Sequence, residues 1–452
     1  MNGKDLVLKA MRLEEVERIP WVPFVGAHAG YLMGQTATEF FNSTENIVAG
    51  VNKAVELYNP DGIPVVFDLQ IEAEALGCKL AWADDNPPAV ISHPLSDGTL
   101  SIDDLKVPCA CKGRISSAIE ACRLLREQHP DRALYGLITG PFTLALHLMG
   151  TDIFMKMFED PEYVEKVMQF SADVAKFMSQ LYIEAGADIV AIVDPMTSQI
   201  DPMSFETFVS PYVTQVFDTI RENGALSSFF VCGNAEQNIE VMCKCRPDNI
   251  SIDENIALDF VRDIALANNV SFGGNMKLTV VLLMGTKEDC QRDALECMNI
   301  GGKKGFILAP GCDLPMDTPI ENLQAVTDLV FDEILQGELR ATKATETEIE
   351  LLDLTNHWSD EKVVVDVITL DSTSCAPCQY MFNAVERACE KFGDKVIYRE
   401  HRIKTQEGVQ MMATLGVKNI PTTVIDGNIE FISLIPPVSE IENKIEEYLS
   451  KK

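Results

Sequence analysis

A (β/α)8 TIM barrel followed by a second, smaller α/β domain is the architecture this sequence predicts. Three observations carry the prediction. Short apolar runs alternate with amphipathic helical stretches through the first ~335 residues, the pattern of an α/β protein. Eight such runs can be counted: IPWVPFV (19–25), GIPVVF (62–67), ALYGLITG (133–140), ADIVAIVD (187–194), LSSFFVC (226–232), NISIDE (249–254), VSFGGN (270–275) and GFILAPGC (305–312). After Gly337 the pattern changes, and a second set of strands begins at Val363.

Between most of the runs lies helical sequence. The plainest helix is capped by Asp160 and has Pro161 in its first turn; Val164, Val167, Met168, Val174, Phe177, Met178 and Leu181 share one face. The long piece 68–132 must hold an insertion as well as a helix. A doubly wound sheet is the rival arrangement. The divisions expected are a barrel over 1–337, a charged linker over 338–361 with no single apolar period, and a small domain over 362–452. That domain reads as the strand VVVDVITL, a Cys-x-x-Cys before a helix, the strand VIYRE, a helix, the hairpin TTVIDGNIEFISL, and a closing helix with Ile441, Ile445 and Leu449 on one face.

Composition narrows the function classes. Of 452 residues, 46% are hydrophobic and 23% charged, ordinary for a globular chain. No apolar run is long enough to cross a bilayer and the first residues lack a signal-peptide core, so the expected location is cytoplasmic and no membrane partner is expected. The 13 cysteines then read as thiols, metal ligands or redox groups rather than structural bridges. A formal net charge of −32 repels nucleic acid, and a substrate carrying many carboxylates would need a local basic pocket.

Barrel chemistry sits at the C-terminal ends of the strands. Those ends carry Asp194, Cys232, Asp253, Glu254, Asn275 and Cys312, while the first two strands run into His28 and into Asp68, with Glu72 and Glu74 just beyond. Zinc takes thiolate, imidazole and carboxylate ligands. Cys232, Glu254 and Cys312 can supply three, with His28 or solvent completing the set. Tight-turn residues flank both cysteines (Cys232-Gly233-Asn234; Pro310-Gly311-Cys312-Asp313). Plainer readings stand beside this one: strand-end cysteines pack more often than they ligate, and Asp253 and Glu254 can cap the following helix. Cys109-x-Cys111 and Cys243-x-Cys245 read as surface or packed thiols, or as a second zinc site.

The segments FVCGN, FILAPGCDLPMDTPIENL, DPMTSQIDP, IEAEALG and GPFTLAL resemble the uroporphyrinogen decarboxylase-like superfamily, and within it the methylcobamide:coenzyme M methyltransferase branch, over roughly residues 1–335. The resemblance implies a TIM barrel and a methyltransferase that moves a methyl group from a methyl-Co(III) corrinoid to a zinc-activated thiol. Its two metal-ligand cysteines fall on Cys232 and Cys312. The histidine expected two residues before the first cysteine is Phe230 here. Glu254 resembles, in order and spacing, a glutamate ligand of the related cobalamin-independent methionine synthases. Asp194 and Glu72 are read as catalytic, and His28, Glu74 and Asn275 as binding substrate or corrinoid. No DxHxxG cobalamin signature occurs, so the corrinoid is expected on a separate carrier protein. A decarboxylase-type lyase and a metal-free corrinoid-binding or redox adaptor are the alternatives. The stretch IPWVPFVGAHAGY holds no arginine, which speaks against a porphyrinogen with its many carboxylates.

In the small domain Cys375 precedes a helix and Cys378 sits one turn in. A helix N-terminus stabilises thiolate, so Cys375 is read as the attacking sulfur and Cys378 as the resolving one. Ile420-Pro421-Thr422 resembles the cis-proline segment of the thioredoxin family and places Pro421 against the Cys-x-x-Cys. Ser374 and Ala376 replace that family's usual Trp and Gly.

Overall fold

The computed structural model describes residues 1–342, 349–373 and 375–452. Ser374 and the middle of the expected linker lie outside the described residues. The chain divides into two compact units, Met1–Lys343 and Ala344–Lys452.

In the first unit seven strands form one sheet, each paired in parallel with the next along the chain: Gly62–Pro64, Ala133–Thr139, Ile189–Val193, Leu226–Val231, Asn249–Ile252, Ser271–Met276 and Phe306–Pro310. The remaining run of the eight, 19–25, is not a strand but a single parallel bridge from Trp21 to Leu308. It still closes the cylinder. Val22 N–H donates to Leu308 O at 3.0 Å and Leu308 N–H to Pro20 O at 2.9 Å, while on the other side Asp61 N–H donates to Trp21 O at 2.8 Å. Pro20 and Pro23 have no N–H to give, which keeps the pairing to one residue. Arg18 completes this seam by pairing with buried Asp61 at 2.6 Å.

Alternation along the strands sets what fills the barrel. Tyr135, Leu137, Ile189, Ala191, Val193, Phe230, Ile307 and Ala309 share one core with Phe24 and Phe67, and Cys232 and Cys312 pack against it. The helix capped by Asp160 runs Pro161–Glu184, with the Asp160 side chain accepting Tyr163 N–H. Its apolar face is the expected one, with Phe177 and Leu181 half-buried at the edge. The insertion in 68–132 holds a short hairpin, Leu80–Ala81 against Ala89–Val90, before the helix Ile115–Gln128. Helix Glu333–Ala341 carries the first unit past Gly337.

In the second unit the sheet order is Val396–Arg402, Val363–Thr369, Thr422–Ile425, Asn428–Ile432; the first pair is parallel and the others antiparallel. Val363, Val365 and Val367 face helices Ala376–Glu390 and Val438–Leu449, whose Met381, Val385, Ile441 and Ile445 fill that side.

Candidate active site

Cys232 follows its strand directly and Cys312 follows the last strand by two residues. The fourth and seventh strands thereby bring sulfurs from distant parts of the chain together, with Cys232 Sγ 2.7 Å from Cys312 Sγ. The shared hydrogen bond, then burial, push the Cys232 thiol well above its ordinary range. Beneath the pair is an apolar floor. Phe230, two residues before Cys232 and on the same face of the strand, has its ring centroid 5.1 Å from Phe24 and 5.9 Å from Phe67. The position where the family resemblance expects a histidine is thus part of the barrel's aromatic core.

The turn after Cys232 is tied down by Asp253, which accepts Gly233 N–H and both the backbone N–H and the side-chain Nδ2–H of Asn255. Gly233 is in the left-handed region, at φ 87°, where a side chain would be strained. Burial lifts Asp253 to about 6. Glu254 is lifted further, to about 8, first by burial and then by the Asp253 charge. One of its oxygens accepts Leu278 N–H at 3.1 Å. The other, Oε2, is buried with no hydrogen-bond partner and lies against Gly311, where an added Cβ would collide with it. That unpartnered oxygen beside the residue preceding Cys312 is where a cation would complete the carboxylate's bonding.

The fit to zinc can be tested on these distances. Two thiols and one unsatisfied carboxylate oxygen are an appropriate donor set. Two thiolates on one tetrahedral zinc lie about 3.7 Å apart, so the sulfurs must part by about 1 Å to share an ion. Among the described residues the group of three ligand atoms lying within 4.8 Å of one another is His357, Asp366 and His401. Glu254 is outside that spacing and must swing toward the sulfurs to join them. With those shifts the residues suit the ion.

The other expected site residues are placed elsewhere. His28 is fully buried, with Nδ1 2.9 Å from Met316 O and Nε2 2.7 Å from the Tyr58 hydroxyl. A carbonyl only accepts, so Nδ1 carries the proton and Nε2 accepts from Tyr58. That leaves no lone pair for a metal, contrary to the expectation that His28 completes the set. Burial lowers its pKa to about 4. Asp194 has both oxygens engaged at the start of helix Pro141–Met149, accepting Phe142 N–H at 3.1 Å and both Thr143 N–H and Oγ–H at 2.7 and 2.6 Å. Glu72 is likewise occupied, by Thr139 N–H at 3.1 Å and its hydroxyl at 2.7 Å. Glu74 pairs with Arg114 Nε at 2.7 Å. Asn275 donates to Asp253 O at 3.1 Å and Ile256 O at 2.8 Å, so it shapes the turn that carries Glu254. Strand-end position marked these groups, yet it does not tell a carboxylate facing substrate from one capping the neighbouring helix.

Two groups went unread in the sequence. Arg114 also pairs with buried Asp68, and Asp313 accepts Gly26 N–H at 2.7 Å, tying the loop after Cys312 to the loop after the first barrel segment. The only sequence signal for the second was an acid next to Cys312; for Arg114 there was none. Cys109 and Cys111 form a disulfide rather than the expected thiols or metal ligands, while Cys243 and Cys245 are separately buried.

In the second unit Cys375 and Cys378 form a disulfide. Cys375 is the N-cap of helix Ala376–Glu390 and is partly exposed, whereas Cys378 is fully buried, its sulfur 3.4 Å from Leu370 N. The Ile420–Pro421 peptide is cis.

A parallel barrel with a thiol pair and a buried, unsatisfied carboxylate at its mouth, joined to a Cys-x-x-Cys domain, defines a two-domain α/β protein with sulfur-centred sites. The family model described as uroporphyrinogen decarboxylase (URO-D) matches residues 2–332, and the chain belongs to that family. A thioredoxin domain covers residues 363–446. The barrel is similar to the methylcobamide:CoM methyltransferase MtbA of Methanosarcina acetivorans, 27% identical over 332 residues that cover 72% of this chain and 96% of the relative. It is also similar to a uroporphyrinogen decarboxylase of Anaeromyxobacter sp., 27% identical over 350 residues covering 72% and 97%. Among solved structures, a methyltransferase from Methanosarcina mazei matches with a TM-score of 0.68 at 23% identity, covering 73% of this chain and 98% of that one; this likeness shows the barrel fold.

Proposed function

We propose that the barrel is a methyltransferase that moves a methyl group from a methyl-Co(III) corrinoid to a thiol, with Cys232, Cys312 and Glu254 holding a zinc ion. The single observation that carries this reading is the Cys232–Cys312 pair at 2.7 Å, beside a buried carboxylate oxygen with no partner. The methylcobamide:CoM methyltransferases among the relatives support it. Zinc, when bound, keeps an acceptor thiol deprotonated at neutral pH. The protein's own groups do the rest. The floor of Phe24, Phe67 and Phe230 keeps water from below the sulfurs, which strengthens charge interactions above it. Asp253 and Asn275 hold the turns that present Cys232 and Glu254. In the transfer the acceptor sulfur forms the S–CH3 bond as the Co–C bond breaks, leaving its electron pair on cobalt. The corrinoid is expected on a separate carrier protein and the chain in the cytoplasm.

The Cys375–Cys378 pair extends this reading. Cys232 and Cys312 lie close enough for a two-electron oxidant such as a peroxide to join them as a disulfide, which would remove two ligands at once. Thiol–disulfide exchange with reduced Cys375 and Cys378 would restore both thiols and leave Cys375 and Cys378 joined as the disulfide.

Zinc content and methyl transfer from methylcobalamin to coenzyme M, followed by Co(I) absorbance, test the proposal. Wild type should hold zinc in the barrel and turn over; Cys312→Ser should lose both. Equal zinc and equal rates in the two proteins would overturn it.

A further inference from the structure

We propose that His357, Asp366 and His401 form a sulfur-free site for a divalent transition-metal ion of the zinc class in the C-terminal unit. The inference goes beyond the barrel reading and stands without it.

Register builds the site. Asp366 lies in the middle of strand Val363–Thr369, and alternation turns it away from the face that Val365 and Val367 pack against helices. The parallel neighbour pairs Asp366 with Arg399 and Ile368 with His401, so His401 comes to the Asp366 side. His357, from the segment entering the unit, covers the same side. Asp366 is fully buried. Its Oδ2 is 2.8 Å from His357 Nε2 and its Oδ1 2.8 Å from His401 Nε2. Two of the chain's six histidines thus meet on one carboxylate in the interior of a sheet, where a lone charge is costly.

All three ligand atoms lie within 4.8 Å of one another. Around a tetrahedral ion with bonds of about 2.0–2.1 Å, neighbouring ligand atoms stand about 3.3 Å apart. The two nitrogen–oxygen spacings are 2.8 Å, so the groups must part by about 0.5 Å to admit the ion. As neutral imidazoles protonated at Nδ1, both histidines present an Nε2 lone pair beside Asp366. The imidazole and carboxylate donors suit zinc, cobalt or nickel and not magnesium or calcium. Arg399 limits the affinity, because its Nη1 lies 3.1 and 3.2 Å from the two ring nitrogens of His357 and its charge opposes the ion. A bound ion would pin the segment around His357 to the sheet.

The test uses the full chain with Cys375 and Cys378 oxidised, dialysed against zinc and then against metal-free buffer. Wild type is compared with H357Q/H401Q, whose amides still donate to Asp366. The double variant should retain one zinc ion fewer per chain and lose the zinc-dependent rise in thermal midpoint. Equal zinc in the two proteins overturns the proposal. With cobalt, the difference spectrum should hold d–d bands and no thiolate charge-transfer band; a charge-transfer band overturns it. Should the double variant fail to fold, Arg399→Gln decides, because removing one opposing charge should tighten binding about tenfold, and unchanged or weaker binding overturns the proposal. Cys312→Ser affects the barrel alone, so the two metal proposals fail separately.

Discussion

One carboxylate oxygen of Asp194 accepts both the backbone N–H and the hydroxyl of Thr143, at 2.7 and 2.6 Å. Its other oxygen accepts Phe142 N–H. A strand end is thereby bonded to the first turn of helix Pro141–Met149, where the unpaired N–H groups need acceptors. Burial pushes Asp194 up to about 6 against the pull of these donors. Replacing it with Ala strands them in the interior and should cost about 3 kcal/mol of stability. Chemical denaturation checks this, and turnover per folded molecule should fall much less than the folded fraction.

Arg114 bonds Asp68 and Glu74 at once, and Asp68 is 2% exposed. Removing the guanidinium leaves a buried carboxylate without its counter-charge. Arg114→Ala should cost about 3–5 kcal/mol, whereas Arg114→Ala/Asp68→Asn should recover part of the loss. A double-mutant cycle in urea measures the coupling.

Phe230 occupies the place of the family histidine within an aromatic cluster. Phe230→His buries a polar ring without a ready partner and should destabilise the barrel by about 1–3 kcal/mol. On the zinc reading the same change adds a ligand, so the variant should release zinc more slowly to a chelator. Faster release from the folded variant would count against the zinc assignment.

His28 has a folded-state pKa of about 4 against an ordinary 6.5, because burial disfavours the charged ring. A depressed value means that, between those two pH values, the unfolded chain binds a proton that the folded chain does not. The stability His28 contributes is therefore complete above pH 6.5 and is lost as pH falls toward 4, at up to about 1.4 kcal/mol per pH unit. His28→Gln should make the acid limb of the stability curve shallower by that amount. An unchanged slope would show that His28 titrates normally.

Cys375 is partly exposed at a helix N-cap and Cys378 is fully buried. After mild reduction, alkylation read by mass spectrometry should label Cys375 well before Cys378 at neutral pH. Equal rates would remove the assignment of attacking and resolving sulfurs.

Periodicity was enough to read the parts of both units whose positions are set by local pattern. Six of the seven paired strands fall within runs visible as apolar segments between turn residues and the seventh, Ser271–Met276, overruns its run by one residue, and Asp160 and Pro161 mark a helix start that depends only on neighbours in the chain. The segment at 19–25 reads as a full strand because apolar residues signal burial, while Pro20 and Pro23 deny the backbone donors a ladder needs. Candidate ligands were legible as strand-end residues. Their use was not, since Asp194, Glu72 and His28 are spent on Thr143, Thr139 and Tyr58, partners brought to them by packing. The His357–Asp366–His401 group has no spacing motif, because it is assembled by parallel register between two strands.

The sequence by itself determined the order of elements, the change of pattern between the two units and the residue types at each strand end, because these follow from local periodicity and turn chemistry. Only the tertiary structure decided which carboxylates remain unsatisfied and which sulfurs and imidazoles meet. Barrel closure and strand register bring together side chains far apart in the chain, such as Cys232 and Cys312, 80 residues apart, and Phe24 and Phe230, and hydrogen-bond satisfaction in a buried site is a property of that assembly rather than of any segment.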